Sequence, residues 1–167
     1  MKKTVLYLVI PCYNEEEVLP ETVKRLNEVL HGMVDSGKIS ADSRMVFVND
    51  GSKDRTWELI SKYSDENPFV CGVCLSRNRG HQNALLAGLT TAKRYADAVV
   101  SLDADLQDDV GAIEKMVDAY HAGNDIVYGV RSARDTDTWF KRTTAEGFYK
   151  VMKFLGVDIV FNHADYR

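Results

Sequence analysis

The chain has 167 residues, of which 45% are apolar and 28% are charged, and its formal net charge at pH 7 is −4. This length and composition predict one compact domain with a sizeable core. The negative charge argues against nucleic acid as a partner, and no apolar run approaches the roughly 18 residues of a membrane-spanning helix. We therefore expect the chain as given to be soluble and cytoplasmic.

The first predicted elements alternate between short apolar runs and amphipathic segments. Residues 4–10 predict a buried strand, and Pro11 is expected to end it because proline cannot continue a strand ladder. Apolar residues at helical spacing then predict a helix over residues 18–34. Residues 44–48 predict a second strand, and a second helix follows it.

The second part of the chain continues the alternation. Residues 69–75 predict a third strand, and the helix after it is expected to bury Leu85, Leu86, Leu89 and Ala92. A fourth strand ends near Val100, residues 113–121 predict a helix, and residues 125–130 predict a fifth strand. Strands that alternate with helices predict an α/β fold with a mostly parallel sheet.

Several aspartates follow the fourth strand. In an extended chain alternate side chains share a face, so Asp103 and Asp105 are expected to project together, about 7 Å apart at the backbone. Open α/β sheets bind ligands at this edge, and two adjacent anions favour a bridging divalent cation that substrate phosphates share. An acidic loop that caps the next helix would show the same pattern, so the motif alone leaves both interpretations open.

Polar clusters follow the other predicted strands at the same edge of the sheet. Each cluster alone is typical of a turn or a helix cap. Together they offer carboxylates, backbone turns and arginines around one crevice, which suits a nucleoside diphosphate held by a metal and by cations. The clusters are Tyr13-Asn14-Glu15, Asp50-Gly51-Ser52, Arg77-Asn78, Asp103-Ala104-Asp105 and Arg131.

Four motifs follow the predicted strands in order: Pro11-x-Tyr13-Asn14-Glu15, Val48-Asn49-Asp50-Gly51-Ser52-x-Asp54-x-Thr56, Asn78-x-Gly80-His81-Gln82 and Asp103-Ala104-Asp105-Leu106-Gln107-Asp108. They resemble those of family 2 glycosyltransferases, whose GT-A fold is a Rossmann-like, mostly parallel sheet with helices on both faces. Within the family, the chain resembles the dolichyl-phosphate mannosyltransferase and bactoprenyl-phosphate glucosyltransferase group. The resemblance implies a single catalytic domain over residues 1–167 that ends before C-terminal membrane-associated helices.

The resemblance also implies a set of site residues. The nucleoside is expected to contact Pro11, Tyr13, Glu15 and Asp50, and the wider donor site takes in Asn14, Ser52, Arg77, Asn78, Gly80, Asp103 and Ala104. Asp103, Asp105 and Gln107 would surround Mg²⁺ or Mn²⁺. Asp103, Asp105 and Arg131 are the predicted catalytic residues.

The implied reaction is an inverting transfer of a hexose from UDP- or GDP-hexose to a polyprenyl phosphate, undecaprenyl or dolichyl, at the cytoplasmic face of the membrane. A hydroxyl acceptor would require a general base, and the chain lacks the later acidic motif that carries this base in hydroxyl-directed members. A lipid phosphate is already anionic and needs cations, which Arg131, Arg142 and Arg167 would supply. Residues 162–167 resemble the Gly-Asp-Phe-Arg-Leu stretch of the lipid-phosphate group.

Alternatives remain open at this point. A glycosyltransferase of the same fold that acts on a polysaccharide or protein hydroxyl, or a non-catalytic nucleotide-sugar binding domain, would share the donor motifs. Residues 139–155 mix aromatic and basic side chains, which fits a segment at a membrane surface and equally a helix packed on the sheet. A dinucleotide-binding oxidoreductase is disfavoured because no Gly-x-Gly-x-x-Gly follows the first strand.

Overall fold

The computed structural model describes residues 3–107 and 109–129, and residues up to Val127 form one compact unit. Its parallel strands are β1 (Leu6–Cys12), β2 (Arg44–Asn49), β3 (Val70–Cys74) and β4 (Ala98–Ser101). The helices between and after them are α1 (Leu19–Asp35), α2 (Thr56–Glu66), α3 (His81–Ala92) and α4 (Ala112–His121). The predicted parallel α/β architecture is confirmed.

The strand order β3-β2-β1-β4 defines where a ligand would bind. Strand β2 lies next to β1, and β3 lies next to β2 on the same side. Helix α3 then leads back across the sheet to β4, which lies on the other side of β1. This reversal makes a topological switch point between β1 and β4. In open α/β sheets, ligands bind outside the carboxyl ends of the strands at such a point.

Helices cover both faces of the sheet. On one face, α3 lies so close that a Cβ atom on Gly88 would be 2.4 Å from Val9 Cγ1 and 2.8 Å from Val48 Cγ2. On the other face, Gly72 of β3 lies against Ile60 of α2, which a Cβ atom would approach to 2.7 Å. Among the described residues, no helix is both long enough and apolar enough to span a bilayer.

Strand β1 continues through Pro11, so the predicted end of the strand at this proline is wrong. Pro11 is aligned with Val48 of β2, whereas β4 ends at Ser101, opposite Val9. The Val9 carbonyl accepts a hydrogen bond from the Leu102 N–H on the β4 side. Because alternate residues of a strand face alternate neighbours, the nitrogen of Pro11 faces the β4 side beyond the end of that ladder. The missing N–H therefore removes no ladder bond.

Two other structural predictions are wrong. Residues 125–129 are not a strand; a strand needs a partner for its backbone, and within the described ranges no strand pairs with the outer edge of β4. Leu86 was expected in the core, but it is 61% exposed. The close approach at Gly88 turns a different face of α3 to the sheet, and its buried residues are Ala84, Leu85, Gly88 and Ala92.

Candidate functional site

A cleft of about 410 Å³ opens at the carboxyl ends of the strands. Its lining residues come from the end of β1, from the loops after the four strands and from the first turn of α3: Pro11, Cys12, Tyr13, Glu15, Asp50, Asn78, Gly80, His81, Ala84, Asp103, Ala104 and Asp105. Most of the predicted donor-site residues are thus brought together. Asn14, Ser52, Arg77 and Gln107 are not among the lining residues, and Arg131, Arg142 and Arg167 lie outside the described residues.

Several hydrogen bonds hold the loop after β1 against the loop after β2 and the start of α2, and those of Asn14 and Glu15 lie next to the cleft. The Asn14 N–H donates to Ser52 Oγ at 3.0 Å, and Asn14 Oδ1 accepts from the Lys53 N–H at 2.9 Å. The Glu15 N–H donates to Thr56 Oγ1 at 2.8 Å. Asn14 itself has a φ of 56°, which asparagine tolerates better than most residues. Asn14 and Ser52 therefore bind each other's loop, and the residues on either side of Asn14 line the cleft.

Asp50 fastens the loop after β2 to the loop after β3. Its side chain is buried, Oδ1 accepts from the Arg79 N–H at 2.6 Å, and Oδ2 accepts from the Gly80 N–H at 2.9 Å. At the neighbouring Gly51, φ is +66° and a Cβ atom would lie 2.4 Å from the Asn78 nitrogen. Only glycine fits this close approach of two backbones, so these two loops form one wall of the cleft.

Negative charge accumulates around Glu15. Burial, together with the neighbouring carboxylates of Asp105, Asp54 and Asp103, raises the pKa of Glu15. For Asp54, burial opposes ionisation, but hydrogen bonds from the Thr56 hydroxyl and from the backbone N–H groups of Thr56 and Glu16 lower the pKa overall. The cleft therefore favours a ligand that brings positive charge.

The donor set suits a cation that is shared with a ligand. In the part of the chain that the structure describes, no three His, Cys, Asp or Glu side chains are grouped as a complete metal site. Asp103 and Asp105 both line the cleft, and Mg²⁺ commonly takes one or two carboxylates and completes its shell with water and substrate phosphates. Burial raises the pKa of the Cys12 thiol, which keeps it neutral and unsuited to bind a metal. Two carboxylates thus fit Mg²⁺ or Mn²⁺ bound together with a diphosphate.

His81 is a lining residue to which the sequence reasoning gave no role. It is the first residue of α3, and its Nε2 lies 3.8 Å from Asp103 Oδ1. Its presence in the Asn78-x-Gly80-His81-Gln82 motif was a signal that could have found it. The imidazole adds a polar ring next to one of the two candidate metal ligands.

Comparison with known proteins gives a consistent picture. The family profile described as "Glycosyl transferase family 2" matches residues 7–166. The chain is 54% identical over 163 residues to the uncharacterized glycosyltransferase YkoT of Bacillus subtilis strain 168, covering 98% of this chain and 48% of that protein. It is 38% identical over 164 residues to the prophage bactoprenol glucosyl transferase homolog of Escherichia coli K12, covering 96% and 50%. The chain thus spans about half the length of these relatives.

Two solved structures share the fold at low sequence identity. Glucosyl-3-phosphoglycerate synthase from Mycobacterium tuberculosis, in complex with UDP, aligns with a TM-score of 0.59 and 16% identity over 96% of this chain and 55% of that one. Mannosyltransferase PcManGT from Pyrobaculum calidifontis, in complex with GDP-Man and Mn²⁺, aligns with a TM-score of 0.52 and 19% identity over 91% and 39%.

Proposed function

Since the chain belongs to glycosyl transferase family 2 and has the predicted GT-A fold, we propose that it transfers a hexose from UDP- or GDP-hexose to a polyprenyl phosphate. The observation that carries this proposal is the cleft at the switch point, which gathers Asp103 and Asp105 opposite Asp50. Relatives named bactoprenol glucosyl transferases support the lipid-phosphate acceptor. Similar structures with bound UDP or with GDP-Man and Mn²⁺ support the donor and the metal.

The charges of the cleft support a donor site that requires a divalent cation. Glu15, Asp103 and Asp105 would repel the anionic diphosphate of the donor. Mg²⁺ or Mn²⁺ held by Asp103 and Asp105, with Gln107 close by, would remove this repulsion. The nucleoside would then lie between the loops after β1 and β2, against Tyr13 and Asp50. When bound, the cation would supply Lewis-acid stabilisation of the charge that develops on the leaving diphosphate.

The transfer needs no protein base if the acceptor is a phosphate. A phosphate oxygen of the lipid attacks the anomeric carbon from the face opposite the diphosphate, and the bond from that carbon to the diphosphate oxygen breaks. The electron pair leaves on the nucleoside diphosphate, and the anomeric configuration inverts. Arg131, Arg142 and Arg167 would hold the acceptor phosphate. The protein would act at the cytoplasmic face of the membrane, with its remaining part at the membrane surface.

Metal-dependent nucleotide binding tests the donor site. Calorimetric titration of the full chain with UDP and GDP, with and without Mn²⁺, should show binding that requires the cation. Asp105→Ala should abolish the metal-dependent part, whereas Asp65→Ala, at an exposed position of α2, should bind as the parent does. Equal affinity of the Asp105→Ala variant and the parent, with and without chelator, would show that the cation lies elsewhere.

Transfer of labelled hexose tests the acceptor. The protein that carries this chain should glycosylate undecaprenyl phosphate and leave the free alcohol unmodified. Equal activity toward the alcohol and its phosphate would replace the proposal with a hydroxyl-directed glycosyltransferase. Donor binding without turnover on either acceptor would indicate a nucleotide-sugar binding domain.

A further inference from the structure

The buried side chain of Thr22 connects α1 to the loop that carries the two aspartates. Thr22 is fully buried, and its Oγ1 lies 2.6 Å from the carbonyl oxygen of Ala104. Ala104 is itself buried and stands between Asp103 and Asp105. The contact joins residues that are 82 positions apart in the sequence, and it links the elements after β1 and β4, the two strands at the switch point.

Two carbonyl oxygens lie within hydrogen-bond distance of the Thr22 hydroxyl, and the one that is more distant in the sequence is closer in space. A threonine in a helix commonly donates to the carbonyl four residues earlier, as Thr90 and Thr91 of α3 do. Thr22 Oγ1 also lies 3.0 Å from the Val18 carbonyl, but its contact with Ala104 is shorter. A hydroxyl has one proton to donate, so the geometry assigns that proton mainly to Ala104.

The loop that receives this hydrogen bond has an unusual backbone. Leu106 adopts a φ of 56°, a left-handed conformation that a leucine seldom takes. Next to it, Asp105 Oδ1 accepts from the Gln107 N–H at 3.1 Å, which closes a tight turn. A residue in this conformation persists when its surroundings hold it in place, and the bond from Thr22 is one such restraint.

We propose that Thr22 is a positioning residue for the metal site. Its hydroxyl fixes the Ala104 carbonyl, so the carboxylates on either side, those of Asp103 and Asp105, are held in the arrangement that the cation needs. The inference rests on the proposed function of these two carboxylates. It assigns to the first turn of α1 a part in donor binding, although no side chain of α1 lines the cleft.

Variants at Thr22 and a matched threonine provide the test. Thr22→Val keeps the branched shape and removes the hydroxyl, Thr22→Ser keeps the hydroxyl, and Thr91→Val removes a hydroxyl that bonds only within α3. The measurement is UDP binding by the full chain over a series of Mn²⁺ concentrations, together with metal-free thermal unfolding. We expect Thr22→Val to raise the Mn²⁺ concentration for half-maximal UDP binding about tenfold, the effect seen when a group that orients a metal ligand is removed.

The control variants make the outcomes distinct. Thr22→Ser should keep the parental Mn²⁺ dependence, and Thr91→Val should keep it even if its unfolding temperature falls. An unchanged Mn²⁺ dependence in Thr22→Val, or an equal shift in Thr22→Ser, would overturn the proposal. If Thr22→Val does not fold, Thr22→Ala must show the same shift for the proposal to stand. Asp105→Ala is measured in parallel: if it also binds as the parent does, the metal site itself is wrong rather than the role of Thr22.

Discussion

Replacing Asp50 with asparagine tests whether this buried carboxylate joins two loops of the cleft. Both carboxylate oxygens accept backbone N–H groups, from Arg79 and from Gly80. The Asp50→Asn side chain has only one acceptor oxygen. Whichever way its amide is turned, the NH₂ group would face one of the two backbone N–H groups and could not accept from it. One charge-assisted bond is then lost and the other becomes a weaker neutral bond. Hydrogen bonds to charged groups contribute about 1.5–3 kcal/mol and neutral ones about 1 kcal/mol.

Solvent moderates the size of this effect. Arg79 and Gly80 are exposed residues, so water can replace part of the lost bonding. Removal of a buried charge also relieves its desolvation cost. We therefore expect the free energy of unfolding to fall by about 1–3 kcal/mol, roughly the contribution of one hydrogen bond to a charged group.

Urea unfolding followed by circular dichroism measures this change. Asp65→Asn makes the same charge change at an exposed position of α2 and should stay within about 0.5 kcal/mol of the parent. If Asp50→Asn unfolds with the same free energy as Asp65→Asn, the two hydrogen bonds do not hold the loops. A separate titration of Asp50→Ala with UDP and with GDP checks whether the nucleotide base donates a hydrogen bond to Asp50. If it does, the variant should bind the nucleotide about 1–3 kcal/mol more weakly than the parent, and unchanged affinity would show that the base lies elsewhere.

Two further predictions concern packing and pH. Gly88→Ala should lower the free energy of unfolding by up to about 2 kcal/mol, because overpacking against Val9 and Val48 costs about 1–3 kcal/mol and helix propensity returns roughly 1 kcal/mol. Gly32→Ala in α1, with nothing within 4 Å of the new Cβ, should instead raise the free energy of unfolding by roughly 0.5–1 kcal/mol. Urea unfolding measures both free energies, and a change of the same sign in the two variants would contradict this reasoning. The pKa of Glu15 is raised, so the folded state keeps the Glu15 carboxyl protonated to a higher pH than the unfolded state does. As pH rises from the unfolded-state pKa through the folded-state pKa, the parent loses the stability that this protonated carboxyl provides. Glu15→Gln should therefore be more stable than the parent at pH 7, and the difference should narrow toward about pH 4, the ordinary range of a glutamate; a difference that does not vary with pH in unfolding experiments would count against it.

The sequence predicted the four strands and four helices well because apolar run length and helical spacing are local properties. Pro11 was misjudged because its tolerance depends on where β4 ends, which only the strand order reveals. Residues 125–129 are apolar enough for a strand, but apolarity alone does not form a strand ladder, and within the described ranges they make none with the edge strand β4. Leu86 was misplaced because the buried face of α3 is set by its contact at Gly88.

The candidate site was predictable in its location and less so in its contacts. Residues that follow parallel strands must meet at one edge, so most residues of the cleft could be foreseen, whereas His81 and Ala84 of α3 were not foreseen. The hydrogen-bond partners within the site could not be predicted, because they join residues that are distant in the sequence. The bond from the Arg79 N–H to Asp50, for example, spans 29 positions. Asn14 and Ser52 belong to the predicted donor motifs, yet in the structure they bond each other's loop.

The lack of a side chain at Gly88 has a mechanical consequence for ligand-induced closure. Because the backbone of α3 rests directly on Val9 and Val48, the helix cannot come closer to the sheet at this point. We therefore expect α3 to keep its position when a donor binds. We expect narrowing of the cleft to come instead from the loop after β4, where Asp105 is exposed and Leu106 holds a left-handed backbone. Hydrogen exchange should accordingly slow at residues 103–107 when nucleotide binds and stay constant along α3.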